Sequence, residues 1–206
     1  MVKRSFFFFL IFFTTMSFAG DIIYPICAQS SCPFIARHQD SYIKINCKDQ
    51  YTCTLYYGNK TLEKKFPNEV TFSADTQIIW ITDNLAQIWD STTMDDNWSI
   101  FIDFNTMKYS GWFNNVFAVN SALKIVAYDA DNDRQIQLSP MFNSTVKVLL
   151  PPITDSADGL SSAVKVPDTH FDSQGNLILF YFINPKQWQL KTKTIPIDYH
   201  QLEIGS

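Results

Sequence analysis

Leu177-Ile178-Leu179-Phe180-Tyr181-Phe182-Ile183 is the longest apolar run in the chain outside its N-terminus. A run this short suits a strand better than a helix, and aromatic and branched side chains favour a pleated surface. With a period of two, Leu177, Leu179, Tyr181 and Ile183 fall on one face, and Ile178, Phe180 and Phe182 on the other. Both faces are apolar, which predicts a central strand covered on both sides. Asp172-Ser173-Gln174-Gly175-Asn176 stands before it as turn chemistry, with Gly175 free to take positive φ. Asn184-Pro185 closes it, because proline cannot continue a ladder.

The flanking sequence follows the same pattern. Tyr42 to Cys47 and Tyr51 to Tyr57 alternate as two strands of a hairpin, with Cys47 and Cys53 flanking the connection. Gln77 to Thr82, Trp98 to Phe104, Val146 to Leu150 and Trp188 to Ile197 read as further strands. Leu123 to Tyr128 and Arg134 to Leu138 form the clearest hairpin, around an acidic loop. One segment resembles a helix: Asp83 to Thr93, with Asp83 or Asn84 as cap and Leu85, Ile88 and Trp89 at helical spacing. Many short strands separated by turn signals predict an all-β fold, a mainly antiparallel sandwich or open barrel. It is stapled by disulfides near its N-terminus and carries at most one short peripheral helix.

The N-terminus reads as a secretory signal peptide over residues 1–19. Lys3 and Arg4 form a basic start, Phe6 to Phe13 an apolar core, and Ser17-Phe18-Ala19 a cleavage site with small residues at −3 and −1. The apolar run is too short to span a bilayer, so no stable membrane span is expected after cleavage. Residues 20–206 then form a single β-rich domain, with its disulfide-bearing part at about residues 21–60. Loss of Lys3 and Arg4 moves the formal net charge from −4 to −6. An acidic chain without basic clusters argues against nucleic acid and suits a basic partner.

Cys27, Cys32, Cys47 and Cys53 all lie on the exported side, and an even count in an oxidising compartment implies two disulfides. Three pairings are open, of which Cys27–Cys32 with Cys47–Cys53 is the simplest. Their spacing lacks the C-x2-C knuckles of a zinc site. These features place the protein in a periplasm or outside the cell.

Chemistry-bearing patterns are few. Asp168, His170 and Asp172 share one face if their segment is extended, where two carboxylates around an imidazole could bind a metal or activate the histidine. A solvated face leading into the turn is the preferred alternative. Asp129, Asp131 and Asp133 open like a calcium loop, but Arg134 stands where glycine is needed and Pro140 where a bidentate glutamate is needed. They read better as an acidic hairpin tip. Pro151 to Ala163, with Asp155 and Asp158, is the longest loop. Gly159-Leu160-Ser161-Ser162-Ala163 lacks the second glycine of a nucleophile elbow. His38 and His200 have no suggestive neighbours at motif spacing, although Asp198 and His200 form an Asp-x-His pair. No glycine-rich phosphate loop is present, and no cofactor is expected. Trp80, Trp89, Trp98, Trp112 and Trp188 are expected mainly in the core, while any exposed one would suit stacking on sugars or a protein.

The expected function is an exported protein-binding module, with inhibitor or immunity-type proteins as its concrete form. Its contacts would be Asp129, Asp131 and Asp133 on the tip, and Asp155 and Asp158 on the loop. Two alternatives stand beside it: a metal-assisted hydrolase centred on Asp168, His170 and Asp172, and a carbohydrate- or envelope-binding module. The first expected outcome concerns processing: intact-mass measurement of exported protein lacks residues 1–19 and finds no free thiol. A full-length mass, or titratable thiol in that material, contradicts it.

Overall fold

The computed structural model describes residues 22–23, 34–49, 52–73, 75–91, 97–129, 135–143, 145–156, 163–164, 166, 168–183 and 189–202. Among these residues every regular element is a strand, apart from one 3-10 turn at Tyr199–Leu202. All strand pairings are antiparallel, and they form four sheets.

The first sheet runs in chain order: β2 (Phe34–His38), β3 (Ser41–Cys47), β4 (Cys53–Gly58) and β5 (Glu63–Val70), with β1 (Ile22–Ile23) preceding it in the chain. The second pairs β1, β6 (Gln77–Thr82), β7 (Leu85–Ser91) and β8 (Asn97–Asp103) in that order. Two short strands, β9 (Lys108–Tyr109) and β10 (Phe113–Asn114), complete the free side of β8. The third is β11 (Val116–Asn120), β12 (Ile125–Asp129), β13 (Ile136–Pro140) and β14 (Val148–Leu149). The fourth is β15 (His170–Phe171), β16 (Leu177–Phe182) and β17 (Leu190–Ile195). No helix among the described residues is long and apolar enough to cross a membrane.

Three apolar layers join the sheets. Ile43, Ile45, Leu55 and Tyr57 of the first sheet pack against Ile78, Ala86, Ile88, Ile100 and Ile102 of the second. On the other face of the second sheet, Leu85, Phe101 and Phe113 meet Val126, Tyr128 and Met141 of the third. The third sheet turns Ile125, Ala127, Ile136 and Leu138 toward Leu177, Leu179, Tyr181 and Ile195 of the fourth. The architecture is therefore a stack of sandwiches in which the second and third sheets are covered on both faces.

This places the doubly covered strands elsewhere than expected. β16 is the middle strand of its sheet, but only Leu177, Leu179 and Tyr181 are buried; Ile178, Phe180 and Phe182 are half-buried. Strands buried on both sides are β8, whose residues Ser99 to Asp103 are all inside, and β12, buried along its whole length. The partner of β8, β7, occupies the segment expected to be helical. Leu85 to Ser91 is a strand because both faces of that position are covered, so apolar residues need not alternate there and their spacing imitates a helix. Asp83-Asn84 is the hairpin turn to β6, not a helix cap.

The hairpin of β3 and β4 forms as expected. Cys47 and Cys53 oppose each other in register and form a disulfide. Cys27 and Cys32 lie outside the described residues.

One carboxylate ties the layers together. Asp103, 2% exposed at its side chain, ends β8 and accepts hydrogen bonds from Asn105 N (3.0 Å) and Thr106 Oγ1 (2.9 Å). It also forms an ion pair with Lys124 Nζ, from the turn between β11 and β12. Burial by itself would raise the Asp103 pKa, but Lys124, Thr106 and the Asn105 amide outweigh it and hold the group below the ordinary carboxylate value.

Two outcomes follow from this packing. Phe101→Ala costs about 3–5 kcal/mol in denaturant unfolding through lost transfer energy and a cavity, and Phe180→Ala costs clearly less. Equal losses for the two contradict the assignment of β8 as a doubly covered strand. Lys124→Met leaves the buried carboxylate with only the Asn105 amide and the Thr106 hydroxyl as donors and costs about 1–3 kcal/mol near neutral pH. Because the Asp103 pKa is depressed in the fold, the contribution of its ionised form is present above the unfolded pKa and is lost as pH falls through the folded one. The stability difference between wild type and Lys124→Met should therefore narrow in acid; a difference independent of pH contradicts the ion pair.

Candidate functional site

The residues nominated by sequence do not assemble. His170 begins β15, with its side chain exposed and its Nδ1 2.7 Å from the Asp168 carbonyl. Its ring stacks on Phe180 across the sheet, at 6.2 Å between centroids. The Asp172 carboxylate is engaged locally, accepting from Gln174 N and Asn176 N at 2.8 Å and from Asn176 Nδ2 at 3.0 Å. The Asn176 contacts hold its pKa below the usual value. It closes the turn in which Gly175 takes φ +85°, and a Cβ on Gly175 would come within 2.6 Å of the Tyr199 hydroxyl. Asp198 accepts from His200 N at 3.1 Å and so serves its own 3-10 turn. Among the described residues, no three His, Cys, Asp or Glu side chains are grouped to hold a metal ion.

The acidic contacts are also reassigned in part. Asp129 is 3% exposed at the end of β12, opposite Ile136, and so belongs to the sheet and not to an exposed tip. Asp131, Asp133 and Asp158 lie outside the described residues. Asp155 accepts from Tyr181 Oη at 3.1 Å and pairs with Lys191, which holds its pKa below the ordinary value. The loop of Asp155 is thereby tied to the fourth sheet. His38, unremarkable in the sequence, meets Asp83 at 3.1 Å and stacks on Trp80 at 5.0 Å, linking the first two sheets at their hairpin ends.

A cavity of about 400 Å³ opens instead between β5 and the hairpin of β8 and β9. It is a shallow depression, open to solvent over most of its extent. Its floor is Tyr57 and Met107; Lys64, Lys65 and Pro67 of β5 line one side, and Lys108 and Tyr109 of β9 the other. Asp103 organises the connecting turn, Phe104 to Met107, through its bonds to Asn105 and Thr106. Met107 ends that turn with φ +51°, a left-handed conformation uncommon for a residue with a side chain. Its carbonyl is held from the opposite sheet, accepting from Lys64 Nζ at 2.9 Å and from Tyr57 Oη at 3.4 Å. Burial, then the neighbouring Tyr109, raises the Tyr57 pKa, so its phenol remains a neutral donor.

The lysines differ in their commitments. Lys44, Lys48, Lys60, Lys124 and Lys191 each pair with a carboxylate. Lys64 is spent on the Met107 carbonyl. Lys65, Lys108, Lys147 and Lys193 have no ion-pair partner among the described residues, and the first two border the cavity. The cavity is therefore locally positive in an acidic chain.

Aromatic rings extend from this positive mouth. Tyr109, 40% exposed, meets Phe66 edge-on at 4.6 Å, and Phe66 meets Trp112 at 6.2 Å. Trp112, 45% exposed, is braced by Trp98 at 4.6 Å and 70°. Trp80 is buried, as expected of a core tryptophan, whereas Trp112 presents its indole to solvent. Trp188 lies outside the described residues. Among the described residues the cavity lining is three lysines, two tyrosines, a methionine and a proline. No protein-family model, no curated protein and no solved structure matches the chain.

Proposed function

We propose that the protein is an exported binding module whose recognition site is the cavity between β5 and the β8–β9 hairpin. The observation that carries the reading is the convergence of two uncommitted lysines, Lys65 and Lys108, with the exposed Tyr109 ring around one cavity. Cationic donors and an apolar face are what a site needs to fix a ligand's orientation while covering its surface. The wall is also held in place before any ligand arrives, because Lys64 and Tyr57 grip the Met107 carbonyl and Asp103 closes the turn. Such preorganisation lowers the ordering cost of association. The Cys47–Cys53 disulfide accords with an oxidising compartment.

Recognition of a basic protein through the acidic loops has less support, since Asp129 is buried and Asp155 already pairs with Lys191. A metal-assisted hydrolase at His170 has less support as well, because Asp172 is committed to its own turn.

The reading is tested by screening a fragment library against isotope-labelled protein. The expected result is that hits perturb the Met107 methyl, the Tyr109 ring and the Trp112 indole, and that Lys65→Glu/Lys108→Glu abolishes the anionic hits. Hits confined to the neighbourhood of Asp155 or His170, with the cavity signals unmoved, overturn it.

A further inference from the structure

We infer that the ligand of this cavity is an acidic saccharide, bound with its charged substituent on Lys65 and Lys108 and a sugar face on Tyr109. The inference rests on the binding-module reading above and adds the chemical class.

The lysines decide the charge. Lys65 and Lys108 come from different sheets and flank one cavity; like Lys147 and Lys193 they have no carboxylate partner among the described residues, but of these four only Lys65 and Lys108 share a cavity with an exposed ring. A carboxylate or sulfate between them would complete the charge balance, and ammonium groups serve such anions as point charges without demanding planar geometry.

The strand beside the cavity decides against a peptide. β5 is an edge strand, and an extended peptide would ordinarily join such an edge through main-chain hydrogen bonds. Here Pro67 removes a donor, the β4–β5 pairing carries a register shift between Thr54 and Tyr56, and Lys64 and Lys65 charge the strand. These features block strand addition.

The aromatic surface decides for a sugar. Tyr109 meets Phe66, and Trp112 meets Phe66 and Trp98, in T-shaped contacts, and the two residues are 40% and 45% exposed. Phe66 and Tyr57 meet Tyr109 at steep angles and hold it in place, and the part of the ring left exposed offers apolar, negatively polarised surface. The C–H side of a pyranose complements such a surface, with weakly positive hydrogens turned toward the ring. The remaining hydroxyls of the sugar stay hydrated in an open cavity. Trp112 shares the Phe66 ring with Tyr109, so a second exposed aromatic surface stands near the first.

The experiment is titration calorimetry with four probes: an oligogalacturonate, a heparin-derived oligosaccharide, a neutral cello-oligosaccharide and inorganic sulfate. The carboxylated and sulfated probes separate the two sources of negative charge. At least one of them is expected to bind about tenfold or more tightly than the neutral probe. That affinity should weaken as salt rises. It should fall by roughly tenfold in Lys65→Glu/Lys108→Glu and in Tyr109→Ala, which separates the charge from the ring. Unchanged melting temperatures of these surface variants show that the fold is intact. Equal affinity for neutral and acidic sugars, or binding of sulfate alone as tightly as of the acidic oligosaccharides, overturns the inference. Cavity hits in the fragment screen without acidic-sugar binding overturn the ligand class alone, and silence of the cavity in both experiments overturns the site with it.

Discussion

The carboxylate of Asp103 is the point on which both the stack and the cavity depend. It is almost fully buried at the end of the doubly covered strand β8. A charge in that position is tolerable only with donors on several sides, and the chain supplies three. Lys124 reaches it from the third sheet, which fixes how the second and third sheets meet. The Asn105 amide and the Thr106 hydroxyl reach it from the turn that follows, which fixes the path of the chain toward Met107. Met107 then presents its carbonyl to Lys64 and Tyr57 of the first sheet. A single ionised group thus sets the relation of three sheets and the shape of the cavity wall between two of them.

The cavity shows how local and global charge diverge. The formal charge of the whole chain is −4, yet among the described residues the mouth of the cavity is lined by lysines and no acid. Elsewhere the acids sit beside their own bases: Glu63 with Lys44, Glu69 with Lys48, Asp155 with Lys191. Of the lysines left without an ion pair among the described residues, Lys147 and Lys193 lie elsewhere, while Lys65 and Lys108 border the cavity where two sheets part. Over distances shorter than the roughly 8–10 Å screening length of physiological salt, a ligand responds to that local field and not to the net charge.

The fold class was legible in the sequence because turns and alternation are local. Gly58-Asn59, Asp172 to Asn176 and the Cys47–Cys53 hairpin all stand where their side chains place them. What failed was any inference about coverage. The Leu177 run is apolar on both faces, yet one of them stays half open, while β7 has Gln87 and Asp90 inside and is buried throughout most of its length. Gln87 is accommodated by Ser99 across the ladder, and Asp90 by Ser73 and Thr76, partners that no period reveals. The cavity was illegible for the same reason. Tyr57, Lys65 and Tyr109 come from three separate strands and fit no motif spacing. Lys65 reads in sequence as an ordinary edge charge, and the exposure of Trp112 depends on rings at Phe66 and Trp98.

The order of pairing carries a consequence for how the chain reaches this state. Except for β1 against β6, and β10, which skips β9 to pair with β8, each described strand pairing joins strands consecutive in the chain. Contacts of low sequence separation close early and at small entropic cost. A chain released N-terminus first could therefore complete β2 to β5 while later segments are still unavailable. Each newly closed sheet would then offer an apolar face to the next. The longer of these exceptions is instructive: β1 must wait for β6, so β1 remains unpaired until the first four-stranded meander has already emerged.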